Sequence, residues 1–508
     1  MSFEGTIAAA PGQAEASSGA FRSSTPRHLT PAWLLSTLLV LAAILQQCVI
    51  GLDADVSWLL TVGERVLDGQ RLYVDIFEVN PPASVLIYLP GIAAARLLGV
   101  SAELGTAALI FILAGVSIWG SARLLLHAGI LQRGRHAPIL CCAAFAFVLL
   151  PGACFAQREH VALLTLLPFM AVLGVRMKGR SVALAAGFLA GLGAGVTMAI
   201  KPHFVLAVAP MVLFAMWRRR SISVALGPEV GAAAAVVLSY ALLVVAIYPI
   251  YLTDALPLLN AVYIPARSGY AEMLLSPHRI LFLAAFVLTA VVGQERLVRS
   301  FAILPFLAAA GFAAALLMQG KGYLNHAYPA VALAVLALAI ILMERQADRG
   351  RRRAGGLALV LLAGLSVYVF LAVTSYAELA RTVERVAPPS PRIIVAGSNL
   401  SVGHPITRWL EGRWVGRRAS LWATGTGVRL LSEPMDAARR ALIEAYVEED
   451  RRIFVEDIAR GRPDVVLVPG VHGMQWIASH PEVAGAMKSY RTAGSAQDVF
   501  ILVRRPGL

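Results

Sequence analysis

Two aspartates at the start of the first polar loop are the residues with the clearest chemical use. Asp53 and Asp55 directly follow an apolar run at 32–50 and precede a stretch with apolar residues at helical spacing. A carboxylate at a membrane rim is partly desolvated, which raises its pKa and suits it to act as a general base. We predict that one of the two has this role. The other loop carboxylates are interpreted mainly as solvated charges: Glu64, Asp68, Asp75 and Glu78.

Isolated cations lie between later apolar runs. They are Arg158, Lys201, Arg267 and Lys321. A charged side chain at membrane depth is costly and marks a functional site by default. Together with the carboxylate pair, these cations predict a site for an anionic lipid phosphate, where the cations stabilise a leaving phosphate.

Three short motifs extend the candidate site. They are QREH at 157–160, KPH at 201–203 and QGKGYLNH at 319–326, and in the last the glycines permit close approach of a ligand while Lys and His suit a phosphate. Two simpler interpretations remain open, an Arg158–Glu159 pair that pins helix ends and a snorkelling Lys201. The loop at 249–278 is long enough to act as a lid. His326 joins the predicted phosphate ligands, and the further site candidates are Glu78, Asn80, Glu159, His160, His203, Tyr270 and Tyr323.

Composition identifies the class of protein. Of 508 residues, 58% are hydrophobic and 15% are charged, and the mean hydropathy is +0.71. Soluble domains are about 45–50% apolar and about 25% charged, so a polytopic membrane protein is predicted. The net charge of +14 comes mainly from clusters between apolar runs, which set membrane orientation, and nucleic acid is therefore not an expected partner. The four cysteines lie in or beside apolar runs, without metal-ligand spacing.

Eleven apolar runs are long enough to be candidate membrane spans. The N-terminal segment and five connections between them hold eighteen Lys and Arg residues, and the five alternate connections hold six outside the segment at 82–98. This alternation holds if the run at 82–98 is a juxtamembrane helix, and it predicts a cytoplasmic N-terminus and an exoplasmic C-terminus. Residues 1–30 are predicted to be a disordered cytoplasmic tail. The predicted spans are about 32–50, 104–125, 137–153, 160–176, 182–199, 203–217, 224–248, 279–293, 300–318, 326–343 and 355–375.

The last 120 residues, roughly, differ in composition from the membrane module at 31–375. Strand-like runs at 392–396, 464–469 and 498–503, with an amphipathic helix at about 433–460, predict a small exoplasmic α/β domain at 388–508. Trp409, Trp414 and Trp422 lie in an Arg-rich stretch. They are interpreted either as a glycan-binding surface or as ordinary domain core.

The order of these features resembles the GT-C class of integral membrane glycosyltransferases. An acidic pair follows span one, then an amphipathic helix and Gly69-x-x-Leu72-Tyr73-x-Asp75, and then Pro81-Pro82 and an interfacial helix. The relatives that it is similar to are the protein O-mannosyltransferases, the lipid A aminoarabinose transferase and bacterial transferases of lipopolysaccharide core sugars. The resemblance covers about 30–375, with the first exoplasmic loop at 51–103, and is strongest over 51–98.

The resemblance implies a polyprenyl-phosphate sugar as donor and inversion of the anomeric centre. A first-loop carboxylate would activate the acceptor and basic residues would hold the donor phosphate. Those families carry Asp-Glu where this chain has Asp53-Ala54-Asp55, and counting back from Gly69 favours Asp55. Their His-Pro-Pro or Lys-Pro-Pro is here Asn80-Pro81-Pro82. The expected acceptor is a cell-envelope glycan, glycolipid or protein, at the periplasmic face of a bacterial inner membrane.

Two other classes of function remain open. A transporter or flippase for a polyprenyl-linked lipid would also have many spans, although such proteins usually carry internal repeats and charges at the bilayer midplane. A non-catalytic assembly protein is the third possibility. A divalent cation, Mg²⁺ or Mn²⁺, would find oxygen ligands in paired carboxylates, but two aspartates alone do not predict a metal site.

Overall fold

The computed structural model describes residues 31–132, 136–344, 349–372 and 375–505. The predicted tail at 1–30 lies outside these ranges. Each predicted span coincides with a helix. In chain order the helices of the membrane part are α1 (Pro31–Ile50), α2 (Ala54–Leu67), α3 (Ala83–Leu86), α4 (Leu89–Leu98), α5 (Ala102–His127), α6 (His136–Ala144), α7 (Arg158–Met177), α8 (Leu184–Ile200), α9 (Val205–Arg219), α10 (Pro228–Ile247), α11 (Leu256–Leu258), α12 (Tyr270–Leu275), α13 (Pro277–Gly293), α14 (Ile303–Gln319), α15 (Leu324–Met343) and α16 (Arg349–Phe370).

Seven helices of the described chain are long and apolar enough to cross a bilayer. Shorter apolar helices at His136–Leu149, Leu184–Ile200 and Ile303–Gln319 coincide with three further predicted spans, so the fold is polytopic and the count of eleven stays a prediction. Helices α7 and α15 are almost entirely buried, whereas outer helices expose large apolar side chains such as Leu45, Trp119 and Leu242. Such side chains suit a lipid-facing surface around two central helices.

The segment at 82–98 forms two short helices, α3 and α4. Helix α4 has ten residues and is therefore about 15 Å long, half of a hydrocarbon core of about 30 Å. It packs closely on α5, where a Cβ on Gly105 would lie 2.6 Å from the Gly91 carbonyl oxygen. The two helices together form one of the shorter apolar helical stretches, Ala83–Leu98, and the location of this segment beside the membrane stays a prediction.

The connections alternate between the two ends of the bundle as the charge pattern predicts. At one end Arg176 on α7 pairs with Glu229 on α10 at 2.9 Å, and the guanidinium of Arg180 lies beside Gly129. The opposite end carries Asp53, Arg158 and the other isolated cations. Which end faces the cytoplasm remains a prediction from the positive-inside rule.

The C-terminal region forms a five-stranded mixed sheet in the order β2-β1-β3-β5-β4. The parallel strands are β2, β1 and β3, and β5 runs antiparallel to both β3 and β4. The strands are β1 (Arg392–Val395), β2 (Arg413–Trp414), β3 (Val465–Pro469), β4 (Tyr490–Ala496) and β5 (Val499–Arg504), and the helices are α17 (Ala377–Val386), α18 (Leu400–Gly403), α19 (Ile406–Trp409), α20 (Trp422–Leu431), α21 (Ala437–Gly461), α22 (Gly470–Ser479) and α23 (Pro481–Ala486).

The predicted strands and long helix of this domain are confirmed. Central strand β3 is buried at four of its five residues and carries the apolar run that predicted it. Strand β2 has only two residues, and edge strand β4 has the sequence YRTAGSA, without an apolar run. Helix α17 also contacts the sheet, where the Leu379 amide donates to Gln497 Oε1 at 3.1 Å. The compact unit therefore includes a helix that precedes the predicted boundary at 388.

Candidate functional site

The carboxylate pair lies where α1 ends and α2 begins. Asp53 caps α2, because its Oδ1 accepts the Asp55 amide at 2.7 Å, and the same oxygen accepts Gln157 Nε2 at 2.7 Å. Burial, with the charge of Asp55, raises the pKa of Asp53 to about 7. The Asp55 carboxylate is 38% exposed and lies 3.4 Å from Arg158 Nη2. The two aspartates therefore differ, one buried as a helix cap and one open beside a cation.

Arg158, the first residue of α7, is buried behind this pair. Its Nε and Nη1 have no hydrogen-bond partner among the described residues. The turn before it is held by Ala156, which adopts φ +61° and accepts the Tyr88 hydroxyl at 2.8 Å. Both ring nitrogens of His160 contact backbone, the Ala156 amide at 3.2 Å and the Phe147 carbonyl at 2.9 Å. His160 therefore fixes the start of α7 and does not reach the carboxylates.

Glu159 is the centre of a second buried cluster. Its Oε1 pairs with Lys201 Nζ at 2.5 Å and lies 3.4 Å from His326 Nε2. Lys201 also contacts His326 at 3.1 Å and Gln319 Oε1 at 3.0 Å. The interpretation of Lys201 as a snorkelling lysine is wrong, since its ammonium group is buried against a carboxylate. We call Arg158 and Lys201, each with a carboxylate partner, the inner group of cations.

Two amides connect the aspartates to this cluster. Asn325 Nδ2 donates to Gln157 Oε1 at 2.9 Å and to Glu159 Oε2 at 3.1 Å. Because Gln157 also donates to Asp53, a continuous hydrogen-bonded chain runs from Asp53 to Lys201. Neither amide was given a role from the sequence. The sequence did contain an indication of their role, since Gln157 and Asn325 each lie beside a predicted site residue in a short polar segment between two apolar runs.

Lys321 lies in a tight turn between α14 and α15. Gly320 and Gly322 on either side adopt φ +66° and +69°. The Lys321 ammonium group donates to the carbonyls of Tyr263 and Ala266, and lies 4.0 Å from the centre of the Tyr263 ring. Burial lowers its pKa to about 8, with smaller effects from the charges of Arg429 and Arg267.

Arg267 and Arg279 flank this turn. Arg267 Nη2 donates to the Leu317 carbonyl at 2.9 Å, and Arg279 Nη2 donates to the Glu272 carbonyl at 2.5 Å. Within the described ranges, neither these arginines nor Lys321 has a carboxylate within 4 Å. We call Arg267, Lys321 and Arg279 the outer group of cations. Arg279 was not predicted from the sequence.

Two tyrosines lie between the groups. Tyr323 is 51% exposed and hydrogen-bonds to Tyr263, and the charge of Asp55 acts on both phenols. Burial and that charge raise the pKa of Tyr323, so its hydroxyl stays protonated. Tyr270 begins α12, but its side chain lies outside the described part of the chain.

The remaining candidates have structural contacts. Glu78 is buried and accepts hydrogen bonds from the Trp58 indole and from the Asn80 amide and side chain. Tyr73 donates to the Asn80 carbonyl at 2.6 Å. These contacts shape the first loop. The ring of His203 packs on Phe204, and its Nε2 is buried without a partner among the described residues.

The comparisons with known proteins concern the fold. No protein-family model and no curated protein matches the chain. A solved structure that is similar is the crystal structure of ArnT from Cupriavidus metallidurans bound to undecaprenyl phosphate, ArnT being a lipid A aminoarabinose transferase. The TM-score is 0.55 at 11% sequence identity, over 93% of this chain and 98% of that one. This chain has a GT-C-like fold. The resemblance seen in the sequence is thereby confirmed for the architecture.

In this GT-C-like fold the C-terminal domain covers the carboxylate end. Arg408 pairs with Glu64 of α2 at 2.7 Å and with Glu103 of α5. The Phe77 amide donates to the Arg417 carbonyl at 2.7 Å. A small apolar cluster joins the helical turns at 256–263 to α20 and α21, and includes Val262, Ala423 and Ile443. The segment at 249–278, predicted as a lid, is thus largely helical and packed under the domain.

The Arg- and Trp-rich stretch is only partly interior, because Trp409 is 46% exposed and Trp422 is half-buried. Trp414 is buried and donates to the Arg418 carbonyl at 3.0 Å, while Arg417 and Arg418 pair with Asp457 and Asp450, both at 2.7 Å. These contacts favour the interpretation as domain core over a glycan-binding surface. For a metal, the described residues offer no cluster of three or more His, Cys, Asp or Glu side chains.

Proposed function

We propose that the chain is an inverting membrane glycosyltransferase, which moves a sugar from a polyprenyl-phosphate donor to an envelope glycan, glycolipid or protein at the exoplasmic face. One observation carries this proposal. An open carboxylate, Asp55, faces two tyrosines, beyond which lie cations that no described carboxylate neutralises. A base on one side and an unneutralised cationic region on the other is the arrangement that displacement of a phosphate from a sugar requires.

The proposed step is a single displacement. Asp55 takes the proton of the acceptor group as the acceptor oxygen or nitrogen bonds to the anomeric carbon. The bond from that carbon to the phosphate oxygen breaks, and its electron pair stays on the phosphate. The phosphate changes from a diester with one negative charge to a monoester with up to two. Lys321 and Arg267 would stabilise this growing charge.

Asp55 is favoured over Asp53 as the base. Geometry takes precedence over pKa in choosing a base, and Asp53 Oδ1 already accepts two hydrogen bonds. Asp53 instead orients α2 and Gln157. Arg158 would hold the Asp55 carboxylate in place, and its Nε and Nη1, which have no partner among the described residues, would donate to an anionic or carbonyl group of the substrate.

The lipid part of the donor is inferred from the position of the candidate site at the membrane surface and from the structural similarity to ArnT. The candidate site lies at the ends of apolar helices, so a phosphate bound there would leave a polyprenyl chain at membrane depth. ArnT, similar in fold, was crystallised with undecaprenyl phosphate. In the described helices, charged side chains lie near helix ends and not at the middle of a span, which is less typical of a transporter. We further propose a location in a bacterial inner membrane.

The test is donor turnover by the purified full-length protein. Polyprenyl-phosphate sugars are supplied with crude envelope glycolipids, and donor loss and product are followed by mass spectrometry. We expect Asp55→Asn to lose about 10²–10⁴-fold in rate, the usual contribution of a general base. The matched control is Asp75→Asn, an exposed carboxylate of the same loop.

Three outcomes would separate the alternatives. Equal turnover by wild type and Asp55→Asn would reject Asp55 as the base while leaving the transferase assignment intact. Loss of turnover in Asp53→Asn alone would transfer the role to Asp53. Movement of a bound donor across proteoliposomes without any sugar transfer would replace the transferase by a flippase.

A further inference from the structure

An open cavity of about 320 Å³ lies where the C-terminal domain meets the membrane part of the chain. Its walls come from α2, α4, the start of α5 and the end of α19. Asp55 and the two groups of cations are not among the described residues that line it, so the proposed reaction does not use this cavity. The charged residues that line it are Glu64, Arg96, Glu103, Arg408 and Glu411.

The guanidinium groups in this cavity are already engaged by carboxylates. Arg408 is shared between two of them, Glu64 at 2.7 Å and Glu103. Arg96 at the edge of the cavity pairs with Asp68 at 2.9 Å. One positive charge therefore faces two negative charges at Arg408, and Arg96 adds none that is free. The balance of charge inside the cavity is negative.

Glu411 adds a further negative charge. Its side chain is exposed at the cavity, and within the described ranges no Lys, Arg or His nitrogen lies within 4 Å of its carboxylate. The residue adopts φ +50°, which is uncommon for a side chain other than glycine, and its amide donates to the Arg408 carbonyl at 3.0 Å. A ligand that balances these charges must carry a cation.

The cavity lies at the level where two membrane helices end. Ala102, one of the residues that line it, is the first residue of α5. Gly51 directly follows α1, and a Cβ there would lie 3.9 Å from Trp409 Nε1. The exposed Trp409, which follows Arg408 in the chain, therefore lies beside the end of a candidate span. Tryptophan at this depth is typical of the interface between bilayer and water.

The edge of the cavity next to α5 is apolar. Leu97 and Leu98 are 88% and 74% exposed and lie in the chain between Arg96 and Val100, which both line the cavity. Leu104, on the first turn of α5, is also exposed. Exposed leucines beside the end of a span suit contact with acyl chains. A ligand held here would have a cationic polar end in the cavity and an apolar part along these leucines.

We propose that this cavity binds the headgroup of a phospholipid with a primary amine, such as phosphatidylethanolamine. Its ammonium group has three N–H donors, which Glu411 and the carboxylates of Glu64 and Glu103 can accept. Its acyl chains stay in the bilayer beside Leu97 and Leu98. The bound lipid joins the C-terminal domain to α4 and α5. This proposal goes beyond the proposed transfer reaction and does not rest on it.

The experiment compares two lipids that differ only in the amine. Full-length protein in detergent is titrated with phosphatidylethanolamine and with phosphatidylcholine of the same acyl chains, and native mass spectrometry measures both affinities. Choline keeps the positive charge but has no N–H donor. We expect about fivefold tighter binding of phosphatidylethanolamine, and Glu411→Gln should remove most of this preference. The matched control is Glu433→Gln, an exposed glutamate of the same domain outside the cavity.

A second variant tests the cavity without removing a charged group. Val100 is partly exposed at the cavity, so Val100→Lys should fold and place a tethered ammonium group there. This group competes with the lipid amine for the same carboxylates. We expect Val100→Lys to bind both lipids with equal affinity, and this result is informative even where Glu411→Gln does not fold.

Three outcomes would overturn the proposal. The first is equal affinity of the wild-type protein for the two lipids. The second is a preference for phosphatidylethanolamine that persists in every folded variant of the cavity, since the amine would then bind elsewhere. The third is binding of spermidine or free ethanolamine as tightly as the whole lipid, which would make this a site for a soluble amine. Because no sugar donor is used, none of these outcomes affects the proposed role of Asp55.

Discussion

The two groups of cations lie at the same end of the bundle and differ in what neutralises them. In the inner group, Arg158 pairs with Asp55 and Lys201 with Glu159. In the outer group, the hydrogen bonds of Arg267, Lys321 and Arg279 go to carbonyl oxygens, and Lys321 also lies over the Tyr263 ring. The backbone carbonyl is a dipole and does not cancel a full charge. The outer group is therefore the one with charge available for an anionic ligand.

Because of this difference, we expect the two groups of cations to have different roles in the site. A cation with a buried carboxylate partner positions that carboxylate and contributes little field to a third group. Lys201, Glu159 and Asn325 thus hold the α7, α8 and α15 ends together, and the outer group is left to meet the phosphate. From the sequence, a single phosphate site was predicted, made of Arg158, Lys201, Arg267, Lys321 and His326. We now propose that the outer group binds it, with Arg158 and the Lys201 cluster as support.

The largest expected effect is on stability, from removal of the inner carboxylate. Glu159→Gln leaves Lys201 buried without its anion, and breaking a buried pair usually costs about 3–5 kcal/mol. The double variant Glu159→Gln/Lys201→Met should regain most of this loss. Unfolding in detergent, followed by the loss of monodisperse protein on heating, measures both.

A variant of the outer group, Lys321→Met, serves as the comparison for Glu159→Gln in the same stability measurement. Lys321→Met removes one of several mutually repelling cations, so the ligand-free protein should lose less than about 1 kcal/mol, or gain stability. Equal destabilisation by Glu159→Gln and Lys321→Met would contradict the division into two groups.

The sequence predicted which residues share an end but not which ones pair. The alternation of Lys and Arg between connections correctly brought Asp53, Arg158, Lys201 and Lys321 to one end. Pairing depends on how the helices pack, because successive residues on a helix point about 100° apart. Arg158 and Glu159 are adjacent in the chain, yet one reaches Asp55 and the other Lys201. The interpretation of these neighbours as a mutual ion pair is therefore wrong.

Arg279 was missed, and the two amides were named within motifs but given no role, for a related reason. The sequence places Arg279 at the start of a predicted span, where a single arginine is ordinary, and only the packed turn at Gly320–Gly322 gives it a possible ligand. Gln157 and Asn325 are uncharged, so neither the charge pattern nor hydropathy singles them out. The overall architecture was easier to predict. The apolar runs and the charges of their connections indicate the helices without any knowledge of how the side chains pack.

The second prediction concerns pH and tests the outer group. Lys321 is charged below its pKa of about 8, and a bound phosphate would raise that pKa. Affinity for undecaprenyl phosphate should therefore be highest below pH 8 and fall about tenfold as the pH rises to about 9.5. The two tyrosines that face Lys321 do not titrate in this range, because burial raises the pKa of Tyr263 and of Tyr323.

Two variants sharpen this measurement. Lys321→Met should bind more weakly at pH 7 and lose the pH dependence between 7.5 and 9.5. Arg429→Gln removes a repelling charge, so the decline in affinity should move to higher pH. A decline of the same size in Lys321→Met would show that another group titrates, and would remove Lys321 from the phosphate site.

The smallest expected effect is on the pH dependence of stability, and it distinguishes Asp53 from Asp75, another aspartate of the first loop. Burial raises the pKa of Asp53 to about 7, so the folded protein holds a proton there that the unfolded chain releases above about pH 4. Stability from this group is present at low pH and is lost as pH rises through 7, by about 1 kcal/mol between pH 6 and 8. Asp75 is the opposite case, since its hydrogen bonds to Arg71 lower its pKa. Thermal unfolding across pH 6–8 should therefore flatten in Asp53→Asn and stay unchanged in Asp75→Asn. A slope that survives in Asp53→Asn would mean that the helix cap is ionised throughout, and Asp53 would then compete with Asp55 for the role of base.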